Sequence, residues 1–248
     1  MPLSHYKSAL VTGASSGIGR AMVKALTNSN ITTYALARRQ NLLKTLQNET
    51  GCIPIALDLR DRSQIEAKLA GVEVDILINN AGHGRSEGPL HTAETEAVYD
   101  MVQTNVTASL HLVRAIAPRM VSQKFGHIVM IGSVSGLHPI KQSVYGATKG
   151  AIHMLCQNLR IELLGTGIRV TEICPGRVNT DFFQTAFGEA KSKELLNRLE
   201  TLEPEDISNT IMHALDAPQR VNITTVELTG TAQAVGGIQS GDAENSYT

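Results

Sequence analysis

Tyr145 and Lys149 stand four residues apart in Ser143-Val144-Tyr145-Gly146-Ala147-Thr148-Lys149. If this stretch begins a helix, residues at that spacing share a face, so a phenol and an ammonium converge on one point. Such a pair can move protons. A phenol titrates near ~10 in water, and a cation held close favours the phenolate, bringing the group nearer the pH at which an acid or base is useful. The lysine is therefore expected to tune the tyrosine. The spacing also arises by chance, so its company matters: Ser133 and Ser135 upstream, Asn79-Asn80-Ala81-Gly82, and Thr12-Gly13-Ala14-Ser15-Ser16-Gly17-Ile18-Gly19.

These groups need a scaffold that brings them together. Ser8 to Thr12 reads as a strand breaking into the glycine-rich turn, and Ile18 to Leu26 has helical periodicity. Further strands are expected at Ile31 to Ala37, Ile53 to Leu57, Val74 to Ile78, Ile128 to Ile131, Arg169 to Ile173 and Val221 to Leu228. A helix is expected over Asn105 to Met120, with Leu110, Val113 and Ala117 on one side. The tyrosine helix should run to about Leu164, where Gly165 and Gly167 stop it, and another should begin near Pro204. This alternation predicts one α/β domain over 1–248, a doubly wound, mainly parallel, seven-stranded sheet with helices on both faces and ligands at the strands' carboxyl ends. The segment 181–202, with Phe182, Phe183 and Phe187, reads as a lid over substrate or as plain packing, and the tail 230–248 as partly flexible.

In this order and spacing, the four motifs resemble the short-chain dehydrogenase/reductase family over nearly the whole chain. The resemblance implies a Rossmann-like fold and reversible hydride transfer between NADP(H) and a small carbinol or carbonyl. It implies that Tyr145 transfers the proton, Lys149 lowers its pKa and bonds the nicotinamide ribose, Ser133 holds the substrate oxygen, and Asn105 completes a relay at a helix kink. Ser135 is the other serine candidate; Ser133 is preferred because it follows its strand directly and keeps Ser-x-x-Gly with Gly136. Cofactor contacts are implied for Gly13, Ser15, Ser16, Gly17, Ile18 and Gly19 in the turn, Asp58 and Leu59 at the adenine, and Asn79, Ala81 and Gly82. Tyr145, Lys149, Pro175, Gly176, Val178 and Thr180 complete that set at the nicotinamide end. Asp58 and Thr180 are alternatively helix caps, with Asp61 competing for the first of these, and Asn80 is alternatively a tie between strands. Substrate contacts are expected from Ser133, Tyr145, Gln142, Arg177 and the three phenylalanines.

The end of the second strand bears on the cofactor. A carboxylate there would bond the ribose 2′-hydroxyl of NAD, whereas Ala37-Arg38-Arg39 offers no acid and two guanidinium groups, which suit the 2′-phosphate of NADP. The plainer alternative is two arginines solvating a helix start. Within the family, the tyrosine motif, Leu202-Glu203-Pro204-Glu205-Asp206-Ile207 and Pro218 to Leu228 resemble NADP-dependent 3-hydroxy acid dehydrogenases acting on serine- and allo-threonine-like compounds. The chain departs from some of these by running from Val178 directly to Asn179-Thr180 without an inserted glycine. A sulfonated aldehyde, an unrelated ketone or a 3-oxoacyl substrate therefore stays open, as does a non-catalytic NADP-binding sensor. The resemblance also implies a homo-oligomer, tetramer or dimer, formed through the helices holding Asn105 and Tyr145.

Composition narrows the partners. With 22 basic and 23 acidic residues the net charge is −1, and no block of five like charges occurs, so neither nucleic acid nor an anionic membrane is expected as a partner. Cys52, Cys156 and Cys174 lie far apart without a C-x-x-C, and no H-E-x-x-H occurs, which fits buried thiols in a reducing compartment and no metal site. No apolar leader follows Met1, and no run approaches the roughly 18 apolar residues of a membrane span. A cytoplasmic enzyme with a small-molecule partner is expected.

Overall fold

A computed structural model describes residues 3–84, 90–182 and 201–233. Apolar runs bounded by polar turns form β1 (Ser8–Thr12), β2 (Thr32–Ala37), β3 (Ile53–Ala56), β4 (Ile76–Asn79), β5 (Gly126–Ile131), β6 (Ile168–Pro175) and β7 (Thr225–Leu228). They make one sheet in the order β3-β2-β1-β4-β5-β6-β7, and every pairing is parallel. β4, β5 and β6 are buried along their whole length, as strands covered on both faces must be.

The covering helices are α1 (Gly17–Asn28), α2 (Gln40–Thr50), α3 (Arg62–Leu69), α4 (Thr95–Val102), α5 (Ala108–Gln123), α6 (Val134–Leu137), α7 (Ser143–Glu162) and α8 (Pro204–Asp216). Alternation along β1 sends Ala9 and Val11 to one core with Met22, Leu26, Ile207 and Ile211 of α1 and α8. Leu10 goes to the other, with Ile65, Leu112, Ile116 and Ile152 of α3, α5 and α7. Strand order reverses between β1 and β4, so their carboxyl ends part there and leave a crevice. Thr12 and Asn80 pin its floor: Thr12 Oγ1 accepts the N–H of Asn80 and Ala81 at 3.0 and 2.9 Å, and Asn80 Nδ2 donates to Thr12 O at 2.9 Å.

Two expected elements are corrected. The helix placed at Asn105 begins ten residues earlier, because α4 passes through a π-helical turn, Gln103–Thr107, directly into α5. Its inward face shifts accordingly: Leu110 is 47% exposed, while Leu112, Val113, Ile116 and Met120 are buried. The last strand is shorter than Val221 to Leu228, because side chains replace the ladder at its start. Asn222 Oδ1 accepts from Val170 N, and Thr171 Oγ1 donates to Ile223 O.

At the sheet's amino-terminal end, Arg169 of β6 is buried and donates to Ala214 O and Leu215 O in the last turn of α8 and to Ala217 O and Val221 O just beyond it. It also donates to Tyr6 Oη. Tyr6 Oη lies 3.4 Å from His127 Nδ1, and His127 Nε2 lies 2.7 Å from Thr171 Oγ1, whose own proton goes to Ile223 O. His127 therefore carries its proton on Nε2. Burial, followed by the Arg169 charge, pushes its pKa well below the ordinary 6.5. The unfolded chain then binds a proton below about 6.5 that the folded chain refuses, so stability falls as pH falls through that value. Thermal melts between pH 7.5 and 5 should show this fall, and His127→Gln should blunt it while lowering stability at pH 7.5. An equal pH dependence in the variant would show that His127 does not carry it.

Candidate active site

The candidate catalytic groups are carried by β5, α7 and the π turn. Tyr145 and Lys149 lie one turn apart on α7, with Lys149 Nζ 5.9 Å from the tyrosine ring centre. Ser133 leaves β5 in extended backbone, caps α6, and accepts the N–H of Ser135 at 3.1 Å. Ser135 thus serves the loop through its backbone, and Ser133 faces Tyr145, lowering the pKa of its phenol. Gly136 explains the Ser-x-x-Gly spacing: a Cβ there would stand 2.6 Å from Lys149 O, so only glycine lets α6 pack this closely on α7.

The electrostatics correct the expectation drawn from spacing. Burial pushes the Tyr145 phenol up to about 12, and only the Ser133 hydrogen bond pulls it down. Burial likewise lowers Lys149 to about 8, while Nζ donates to Ile131 O at 2.8 Å. Burial, not the other member of the pair, sets both shifts, and Tyr145 is held as a neutral acid.

Asn105 sits at the π turn, 2% exposed. Its Oδ1 accepts His83 N at 2.9 Å, and its Nδ2 donates to His83 O at 2.9 Å and Thr148 Oγ1 at 3.1 Å. Thr148 in turn donates to Tyr145 O at 2.8 Å. The side chain is fully engaged in fastening the loop after β4 to the tyrosine helix.

A cleft of about 1270 Å³ runs along the strand ends, larger than the roughly 300–1,000 Å³ that holds a drug-sized ligand. Gly13, Ser15, Ser16, Gly17 and Ile18 face it, but Gly19 does not. A Cβ on Gly19 would strike Gly13 O and come within 2.7 Å of Asn80 Nδ2, so this glycine serves close packing of helix on turn. Gly13 and Gly17 have left-handed backbone, φ +65° and +51°. Asn79 also misses the cleft. Its side chain lies inside the sheet, between Thr12 Oγ1 and Met130 Sδ, while Asn80, Ala81 and Gly82 line the cleft wall.

Arg38 and Arg39 both line the cleft and are exposed. Arg39 folds back onto the glycine turn, donating to Ser15 Oγ at 2.9 Å and Ser16 Oγ at 2.7 Å. A guanidinium from β2's end thereby supplies positive charge to a turn that has none of its own. Asp58 and Leu59 line the same region. Asp58 is ion-paired with Arg60 at 2.7 Å, which also holds Asp100 at 2.9 Å, and Asp61 takes the cap of α3.

Pro175, Gly176, Val178 and Thr180 border the cleft from β6, and the Thr180 methyl would lie 2.9 Å from a Cβ on Gly17. Thr180 Oγ1 accepts Phe182 N only at 3.4 Å, a weak cap. Gln142, Arg177 and Phe182 also line the cleft, and the Phe182 ring centre is 5.6 Å from that of Tyr145. Phe183, Phe187 and most of the expected lid lie outside the described residues, but Val178 and Leu202, which flank it, are bridged. Gln233 was not foreseen. It is buried, lines the cleft, and accepts Arg177 N at 2.9 Å. His83 and Thr148 were likewise missed, since their roles depend on Asn105 reaching across from another element.

Residues 7–191 match the model of the short chain dehydrogenase family. The chain is 39% identical over 241 residues to an uncharacterized short-chain type dehydrogenase/reductase of Sinorhizobium fredii, covering 96% of this chain and 97% of that protein. It is 37% identical over 240 residues to the NADP-dependent 3-hydroxy acid dehydrogenase YdfG of Escherichia coli, covering 92% and 97%. Among solved structures, the closed form of a serine dehydrogenase complexed with NADP+ superposes with a TM-score of 0.90 at 36% identity, covering 94% of this chain and 98% of that one.

Proposed function

The chain belongs to the short-chain dehydrogenase/reductase family, and from that membership we propose that it is an NADP(H)-dependent oxidoreductase interconverting a small hydroxy compound and its carbonyl. The observation that carries this reading is the meeting of Ser133, a neutral Tyr145 and a buried Lys149 in one cleft along which the end of β2 offers two guanidinium groups and no acid of its own. The residues fit the cofactor. Left-handed Gly13 and Gly17 let backbone approach a pyrophosphate at the start of α1, and Arg38 and Arg39 suit a 2′-phosphate. When bound, NADP(H) supplies or accepts the hydride. Asp58, Leu59, Ala81 and Gly82 are assigned to the adenine half, and Pro175, Gly176, Val178 and Thr180 to the nicotinamide half.

The chain's own groups handle the oxygen and its proton. Ser133 Oγ and the Tyr145 hydroxyl would together hold a carbonyl oxygen, and Tyr145, an acid at neutral pH, would donate its proton as that oxygen becomes a hydroxyl. Lys149, charged below about 8, would stabilise the phenolate left behind and bond the ribose. Asn105 holds the elements in place. For the substrate we favour a small anion, a 3-hydroxy acid or a sulfonated aldehyde and their redox partners. Arg177 Nη1 and Gln233 Nε2 support this, being buried donors without hydrogen-bond partners among the described residues, on residues that line the cleft.

The three cysteines, all buried and unpaired, support a cytoplasmic setting. No helix among the described residues is long and apolar enough to cross a membrane. Tyr99, Val102, Leu110, Met154 and Ile161 expose apolar groups on α4, α5 and α7, which supports assembly with further copies through those helices. Light scattering should find a dimer or tetramer, and Leu110→Glu with Met154→Glu should release monomer; a monomeric wild type would remove the assembly.

With NADPH and a panel of 3-oxo acids, sulfonated aldehydes and neutral ketones, the wild type should reduce the anionic members best. Tyr145→Phe should abolish turnover of all of them while NADPH still binds, because only the proton-donating hydroxyl is lost. Retained turnover in that variant would sink the mechanism.

Cofactor choice gives a second test. Charge-assisted bonds from arginine to a phosphate contribute roughly 1.5–3 kcal/mol each, and about 1.4 kcal/mol is a factor of ten. NADPH should therefore be favoured over NADH by on the order of 10- to 1000-fold in kcat/KM. Ala37→Asp with Arg38→Leu supplies a carboxylate for the 2′-hydroxyl and removes a cation, so it should narrow or reverse that ratio. An unchanged ratio would show that the end of β2 does not read the ribose.

A further inference from the structure

The face of α7 that carries Tyr145 and Lys149 continues with His153 and Gln157, each four residues on. Glu172 of β6 lies against it, 0% exposed. Its Oε2 is 2.7 Å from His153 Nδ1, and His153 Nε2 is 2.6 Å from Gln157 Nε2. Because the Gln157 amide donates to Nε2, a neutral His153 carries its proton on Nδ1 and gives it to the carboxylate. The other oxygen, Oε1, is buried and takes no hydrogen bond from nitrogen or oxygen; the Cys174 thiol is the donor beside the carboxylate. It packs on Gly132, where any Cβ would collide with it and would lie 3.1 Å from Cys174 Sγ.

Lys149 meets the same stretch of main chain, since Nζ donates to Ile131 O, the residue before Gly132. Ammonium and carboxylate are thus both packed against the short run Ile131-Gly132 at the end of β5, in an interior where an isolated charge is costly. The neighbouring titratable groups do not replace either partner. Arg160 of α7 is spent on Val170 O and Thr224 O, and Glu227 of β7 is drawn to His138 at 2.9 Å. Cys156 of α7 and Cys174 of β6 are pushed up by burial, so both stay thiols at neutral pH.

We propose that Glu172, held by His153, is a positioning residue of this site that keeps Lys149 charged from behind. The proposal rests on the role given to Lys149 above. Burial drives Lys149 toward its neutral form, and it is opposed by Cys174, then Glu172, then Cys156; with both thiols protonated at neutral pH, Glu172 is the one of the three that carries a charge there. The oxygen that packs on Gly132 takes no hydrogen bond from nitrogen or oxygen and has only the weakly donating Cys174 thiol beside it, so no strong donor meets its charge.

Glu172→Gln keeps the shape and a carbonyl for His153 while removing the charge. Lys149 should then lose its proton at lower pH. The basic limb of kcat/KM for carbonyl reduction should move down by roughly half a unit to one unit, a ~3- to 10-fold loss at a fixed pH on that limb. The basic limb of NADPH binding, read by fluorescence without turnover, should move with it, and Glu172→Asp should restore part of the shift. His153→Ala leaves the carboxylate without its donor and should shift both limbs the same way, whereas His153→Gln supplies an amide donor and should restore them. The His153 side chain is 24% exposed, so these variants decide the matter even if those at 172 fail to fold. Limbs that stay in place, or losses that merely follow the melting temperature, overturn the proposal. A wild type that neither binds NADPH nor reduces any carbonyl would instead overturn the reading of Lys149 on which it stands.

Discussion

Lys149 Nζ donates to the carbonyl of Ile131 from inside the protein, and that bond joins the helix carrying the tyrosine to the strand end carrying the serine. The geometry of the site depends on it. A buried ammonium must find an acceptor or give up its proton, and the acceptor it finds is the last residue of β5, two before Ser133. Gly136 then brings α6 onto the Lys149 carbonyl, so Ser133 is placed by two contacts with the same residue's neighbourhood. Asn105 repeats the device from another side, tying the loop after β4 to Thr148, which sits one position before the lysine. A π turn is what presents an asparagine there, because the extra residue turns its side chain out of register with the helix on either side.

Much of this was legible in the sequence because it is local. A glycine turn directly after an apolar run, a Tyr-x-x-x-Lys on a helical face and a strand ending in Asn-Asn-Ala-Gly are each contained within eight residues. The strand and helix alternation predicted the parallel sheet for the same reason. What was not legible depends on how far a side chain reaches or how deeply it is buried. The sign of the Tyr145 shift came out opposite because spacing reports the lysine's proximity and says nothing of the burial that sets it. Arg39 was expected beside Arg38 at a ribose, yet its reach to Ser15 and Ser16 follows from β1 and β2 being neighbours, which only the topology shows. Asn79 and Asn80 look alike in sequence. The pleat alone sends one into the sheet and the other to the cleft wall.

Strand β6 shows how one alternating pattern can serve both ends of a molecule. Arg169 and Thr171 point to one face, where they close the amino-terminal end of the sheet around His127 and the carboxyl end of α8. Val170, Glu172 and Cys174 point to the other, toward α7. In the first group the polar atoms are largely satisfied, with Arg169 Nε the exception, and the arrangement acts as a clamp. In the second, Glu172 keeps one oxygen without a nitrogen or oxygen donor beside the main chain that Lys149 bonds. An unpaired buried carboxylate lowers stability unless a cation shares its field, and the cation near at hand is the one that burial would otherwise discharge. The same low dielectric that weakens the case for each charge alone strengthens the attraction between them. A buried ammonium and a carboxylate packed against the same main chain can therefore persist together where neither would persist singly.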